Sequence, residues 1–131
     1  MERLIYRSRA LAPEPSAALG DILAASIWNN ARHGITGALG FSGGAYVQLL
    51  EGRAEALDGL LAKLAADPRH TDMAVLFREP VGTRLLSGWS MARVDLAEVA
   101  PQAGAALATG DGLALTRLLV NLVQTRAVRL P

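Results

Sequence analysis

Four polar side chains stand where the surrounding pattern calls for apolar ones. Tyr6 lies in the middle of LIYRS, Gln48 interrupts AYVQLLEG, and Asn29 and Asn30 close an otherwise apolar helical stripe. In an extended strand alternate side chains share a face, so Leu4, Tyr6 and Ser8 lie together, as do Tyr46, Gln48 and Leu50. If those faces look toward the helices, Tyr6, Gln48 and Asn30 converge beneath the sheet. A buried amide left without partners costs about 1–3 kcal/mol per orphaned group. An amide both donates and accepts, and so does a phenol. Two amides and a phenol in one apolar slot therefore suit a flat heterocycle with alternating donors and acceptors. Taken singly, each residue has a plainer reading: a helix-terminal cap for the asparagines, core for the tyrosine with its hydroxyl in water, an edge position for the glutamine. Only their joint spacing points to a ligand.

The elements that must position these residues follow from periodicity and punctuation. Arg3–Ser8 reads as a strand, and Arg9–Pro15 as a loop broken by Pro13 and Pro15. Ser16 is a candidate N-cap for a first helix. Its stripe is Leu19, Ile22, Leu23, Ser26, Ile27 and Asn30, and it stops at Arg32, His33 and Gly34. Ile35–Phe41 and Ala45–Leu50, split by Ser42-Gly43-Gly44, give a hairpin. Leu57, Leu60, Leu61 and Leu64 mark a second helix over Arg53–Ala66, with Pro68 beyond its end. Two further strands fall at Met73–Phe77 and about Trp89–Leu96, joined by a loop over Arg78–Gly88.

The order β-α-β-β-α-β-β predicts an α+β, ferredoxin-like sheet with both helices on one face. Apolar residues at both strand parities require the other face to be covered too. Helical segments at Gln102–Ala108 and Leu113–Val128, separated by Gly110 and Gly112, supply that cover. Residues 1–97 thus form the core domain. Residues 98–131 form a helical extension serving as sheet cover, signal output or oligomer contact.

Composition narrows the chemistry. The 131 residues are 51% hydrophobic and 19% charged, with a net charge of +1, which fits neither a disordered chain nor a reader of nucleic acid or anionic membrane. No apolar run reaches the roughly 20 residues of a membrane span, and the N-terminus has no signal-peptide layout, so a cytoplasmic protein is expected. The chain has no cysteine, which excludes disulfides, thiolate metal sites and thiol catalysis. His33 and His70 stand apart with no matching pair, and no metal is expected. There is no G-x-G-x-x-G and no P-loop.

Four stretches carry a resemblance. LIYRS (4–8), NNARHGITG (29–37), YVQLLEG (46–52) with DPRH (67–70), and GWSM (88–91) resemble the BLUF family, blue-light sensors that use FAD. The likeness covers residues 1–97. It implies that Tyr6 is the photoactive tyrosine and Gln48 the glutamine between it and the flavin ring. Asn30 would bond the N3/O4 edge of the ring, with Asn29 at the neighbouring contact and Ile22 flanking it. Lys63 and Asp67 align with polar positions on the other side of the flavin slot. Trp89 and Met91 match fifth-strand residues that pass the signal outward. With no visible pyrophosphate cradle, FMN or riboflavin could compete with FAD.

The resemblance also implies the chemistry. Excited flavin oxidises the phenol, the glutamine amide relays the proton, and the amide is left rotated or tautomerised. No turnover is expected, so the chain is not expected to be an enzyme. At 131 residues no room remains for an effector domain, and output would pass to a separate protein partner or through a homo-oligomer. Two other functions compete. One is a flavin-free ferredoxin-like interaction module, against which the complete set of slot residues speaks. The other is an acylphosphatase-like hydrolase, disfavoured because Arg7–Pro15 has two prolines and no glycine to form an anion nest.

Overall fold

The computed structural model describes residues 1–10, 30–42, 44–66 and 70–125. Five strands form one sheet: β1 (Glu2–Ala10), β2 (Thr36–Ser42), β3 (Ala45–Gly52), β4 (His70–Pro80) and β5 (Ala92–Asp95). Their order across the sheet is β4-β1-β3-β2-β5. All neighbours are antiparallel except β2 and β5, which run parallel. Helix α1 (Ala54–Ala65) follows β3. A 3-10 turn (Leu96–Val99), α2 (Ala100–Thr109) and α3 (Gly112–Thr125) follow β5. The α+β class agrees with the sequence reading, and so does the order of the elements among the described residues.

The sheet is buried on both faces, which accounts for its apolar residues at both parities. On one side Leu4, Tyr6, Leu39, Tyr46 and Leu50 pack with Leu57, Leu60 and Leu64 of α1. On the other, Ile5, Ala38, Val47, Leu49 and Val94 pack with Ala103 and Ala106 of α2 and Leu115, Leu119 and Leu122 of α3. The C-terminal segments thus cover the face opposite α1, as expected. In β3 every residue from Tyr46 to Gly52 is buried.

Several boundaries move, each for a tertiary reason. Arg9, expected in a loop, pairs with both Ala45 and Thr71, because β1 has a partner on each side. Glu51 and Gly52 remain in β3, opposite Arg3 and Glu2. β4 is longer than Met73–Phe77 because it follows β1 along that strand's whole length, with register shifts on the way. The fifth strand is shorter than Trp89–Leu96. Gly88 takes φ 87°, a left-handed conformation that glycine adopts freely, and Trp89 N–H donates back to Leu86 O at 3.1 Å. Regular pairing with β2 begins only at Ala92.

Of the first expected helix, residues 30–33 are described, and they are helical. Its Ser16 cap and the stripe through Ile22 lie outside the described residues. Its stop is the expected one: Gly34 has φ 65°, and Ile35 N–H donates to Asn30 O at 2.9 Å. That is the 6→1 bond of a Schellman cap. Between α2 and α3, Gly110 takes φ 66° as the α2 C-cap, and Asp111 Oδ1 accepts from Ala114 N–H at 3.0 Å as the cap of α3.

Close approach makes Gly37 irreplaceable. A Cβ added there would stand 2.4 Å from the backbone oxygen of Leu49 and 3.3 Å from Met91 Cε. No rotamer change relieves a clash with backbone, so the β2–β3 ladder would have to part. Alanine in a strand interior recovers at most about 1 kcal/mol of backbone entropy over glycine, less than the overpacking cost. Gly37→Ala is expected to lower unfolding free energy by about 2 kcal/mol, measured by urea denaturation.

Candidate functional site

Strand register builds the site. Tyr6 on β1 and Gln48 on β3 are direct partners, and both side chains point to the α1 face. Tyr6 is nearly and Gln48 fully buried. The Tyr6 hydroxyl donates to Gln48 Oε1. The other end of the amide is held more weakly: Gln48 Nε2 donates to Met91 Sδ at 3.5 Å, and a thioether is a poor acceptor.

Asn30 reaches the same place from the helical turn before β2. It is fully buried, and its Nδ2 donates to Ser90 O at 2.7 Å. The two amides are therefore tied to consecutive residues of one segment, Ser90 and Met91. Asn30 Oδ1 is buried with no hydrogen-bond partner among the described residues. A buried acceptor in that condition is costly unless a donor is brought to it. The imide N–H of a flavin ring is such a donor, so the residues present fit a flavin.

The remaining expected site residues fall as follows. Met91 is buried in the cluster that holds Tyr6. Trp89 is half-buried and packs against the opposite cluster, beside the C-terminal helices. In a regular strand residues 89 and 91 would share a face; they lie instead in the irregular connection before β5, which sends them to opposite faces. Lys63 is exposed on the last turn of α1, the helix whose Leu57, Leu60 and Leu64 cover the face of Tyr6. Ile22, Asn29 and Asp67 lie outside the described residues. No group of three or more histidine, aspartate or glutamate side chains that could hold a metal is found among the described residues, and no described helix is long and apolar enough to cross a membrane.

One residue with a part in this geometry escapes the sequence reading. The pattern treats Glu51 only as the end of a strand, yet it is 0% exposed. Its carboxylate accepts from Arg3 Nε at 2.9 Å, Leu85 N–H at 2.8 Å, Leu86 N–H at 2.9 Å and Thr36 Oγ1 at 3.4 Å. A signal for it exists in the sequence. Once Tyr6 faces Gln48, antiparallel counting places Arg3 opposite Glu51, an ion pair on two buried strands.

Comparisons with known proteins point to one family. The model of the BLUF family, "Sensors of blue-light using FAD", matches residues 1–92. A Euglena gracilis protein described as photoactivated adenylate cyclase subunit alpha-like protein FB is 37% identical over 93 residues, 70% of this chain and 9% of the relative. The beta subunit of the Euglena longa cyclase is 34% identical over the same share of the chain and 11% of its own length. The chain thus spans about a tenth of these curated relatives. Among solved structures, the dark state of BlrB, a BLUF protein, superposes with a TM-score of 0.80 at 34% identity, covering 92% of this chain and 95% of that one. Klebsiella pneumoniae BlrP1 with FMN and cyclic diGMP gives 0.70 at 30% identity, covering 95% and 34%.

Removing the phenol oxygen leaves Gln48 Oε1 without that donor in a buried site. Tyr6→Phe is expected to destabilise the flavin-free protein by about 1–2 kcal/mol, measured by chemical denaturation.

Proposed function

The chain belongs to the BLUF family, sensors of blue light using FAD, and from that premise we propose that it holds a flavin non-covalently beneath the sheet and answers blue light by switching the Tyr6–Gln48 hydrogen bond. The observation that carries this reading is the buried Tyr6–Gln48 pair standing with the orphaned Asn30 acceptor. The domain is a sensor and not an enzyme. The cyclase activity in the names of the Euglena relatives belongs to those longer proteins.

Bound and excited by blue light, a flavin supplies a strong oxidant for a nearby phenol. Tyr6 is the phenol in place. Its hydroxyl proton already lies on the hydrogen bond to Gln48 Oε1, so loss of an electron from the ring favours transfer of that proton to the amide oxygen. The amide would then pass a proton from Nε2 to the ligand site, and return of the electron and a proton to Tyr6 would restore the phenol and leave the amide rotated or tautomerised. Little holds it back at that end, because Nε2 donates to the weak acceptor Met91 Sδ. Asn30 stays fixed through Ser90 O and keeps Oδ1 aimed at the ligand. The changed amide is the local event, and it matters elsewhere only by biasing a two-state element.

FAD is the resident flavin, with FMN or riboflavin able to take the ring site. Asn29, Ile22, Lys63 and Asp67 line that site, and Trp89 and Met91 pass the change outward. The protein is cytoplasmic. Its output goes to a separate protein partner or through a change in a homo-oligomer.

The test is absorption of the purified protein before and after blue light. A yellow protein whose flavin bands shift reversibly to the red is expected. Tyr6→Phe and Gln48→Leu should stay yellow and lose the shift, and Asn30→Ala should retain less flavin. A Tyr6→Phe protein that shifts normally sinks the mechanism. A wild-type protein that stays colourless after FAD is added favours the flavin-free interaction module.

A further inference from the structure

We infer that Glu51 is a positioning residue for the light switch: its buried carboxylate fixes the segment that carries Ser90 and Met91 against the two amides. The inference rests on the reading of Tyr6 and Gln48 as a photochemical pair and names a residue that sets their surroundings.

A carboxylate with no exposure must be compensated by donors, and the donors here are specific. Two are the consecutive backbone N–H groups of Leu85 and Leu86, one is the Arg3 guanidinium, and one is the Thr36 hydroxyl. Arg3 also donates to Thr83 O at 3.0 Å. Arg84 braces the same place from outside, donating to Glu51 O at 3.0 Å, Thr36 Oγ1 at 2.8 Å and Gly34 O at 2.7 Å. Residues 83–86 are thus gripped by β1, β2 and β3 at one end of the sheet.

The grip passes along the chain to the switch. Leu86 is buried in the core and its carbonyl accepts from Trp89 N–H. Trp89 O accepts from Gly37 N–H at 3.0 Å. The next residue, Ser90, holds Asn30, and the one after, Met91, is the acceptor for Gln48 Nε2. Glu51 therefore anchors the root of the segment whose tip contacts both amides, without touching either. Without the anchor the segment loosens and water reaches Gln48, where it can carry the protons that reset the amide. The lit state should then decay faster.

The experiment is a double-mutant cycle on dark recovery, with Glu51→Gln made in wild-type and Met91→Leu backgrounds. Glutamine keeps the shape but sets an NH2 against donors. Recovery is expected to quicken at least about threefold in the wild-type background and by less than about 1.5-fold in the Met91→Leu background, where the sulfur contact is already gone. An equal factor in both backgrounds, or no change in either, overturns the inference. Arg3→Met, which removes the cation from Glu51 and the bond to Thr83 O, should act in the same direction and also lose its effect beside Met91→Leu. It serves if Glu51→Gln fails to fold. Hydrogen exchange read without light should show lost protection at the Leu85, Leu86, Trp89 and Gly37 amides of Glu51→Gln; unchanged protection there also overturns the inference. A wild-type protein with no light response but with this exchange pattern would overturn the light-switch reading, leaving the anchor in place.

Discussion

The alignment of β1 against β3 is the constraint on which the rest of the molecule depends. Tyr6 meets Gln48 because the two strands pair antiparallel with that register, and the same register sets Arg3 against Glu51. A slip of one residue would turn the tyrosine and glutamine to opposite faces and leave Glu51 buried away from its cation. Burial on both faces makes such a slip prohibitive, since every apolar side chain of the slipped strand would exchange clusters. The hydrophobic sandwich therefore does more than stabilise the fold: it fixes a phenol against an amide at hydrogen-bonding distance where water does not compete.

The two ends of Gln48 are unequal. A phenol O–H to an amide oxygen is a strong contact in a low-dielectric interior, while an amide N–H to a thioether sulfur is a weak one. An amide gripped equally at both ends would have one well. Gripped at Oε1 and loosely held at Nε2, it has a second arrangement within reach once the phenol's proton moves. Asn30 is the contrasting case. Its Nδ2 has a good backbone acceptor, so it stays put and offers Oδ1. On the proposed reading one amide turns and the other holds.

The strands of the switch are legible in the sequence because they are apolar runs with single polar interruptions. Tyr6 and Gln48 are conspicuous in such runs, and once the two strands pair in register, parity places them on one face. Asn30 is legible as the polar end of a helical stripe, and Gly34 as its stop. Glu51 is legible only through the register that sets it opposite Arg3, since on its own a glutamate before a glycine at the end of a run reads as a strand leaving the core. Its burial depends on the 83–86 segment folding back over it, a contact more than thirty residues away in sequence. The same segment hides the true start of β5. Trp89 and Met91 look like strand residues of one parity, but Gly88 and the Trp89–Leu86 turn separate their faces. The roles of Ile22, Asn29 and Asp67 fall outside the described residues and rest on the resemblance.

That separation gives the connection between β4 and β5 its significance. It begins at the clamp around Glu51, passes Trp89 to the face shared with the C-terminal helices, and ends with Met91 on the face of the switch. The neighbouring strand shows the same two-sidedness. Tyr6 faces the switch, while Arg7, the next residue, emerges on the other face and donates to Leu107 O in α2. A change confined to one amide is small, and a close-packed sheet does not deform continuously to pass it on. What passes it on must already have contacts on both faces. β1 at residues 6 and 7 and the segment from 85 to 91 have such contacts, as β2 and β3 do, and on the proposed reading they are routes from the amide to the C-terminal helices.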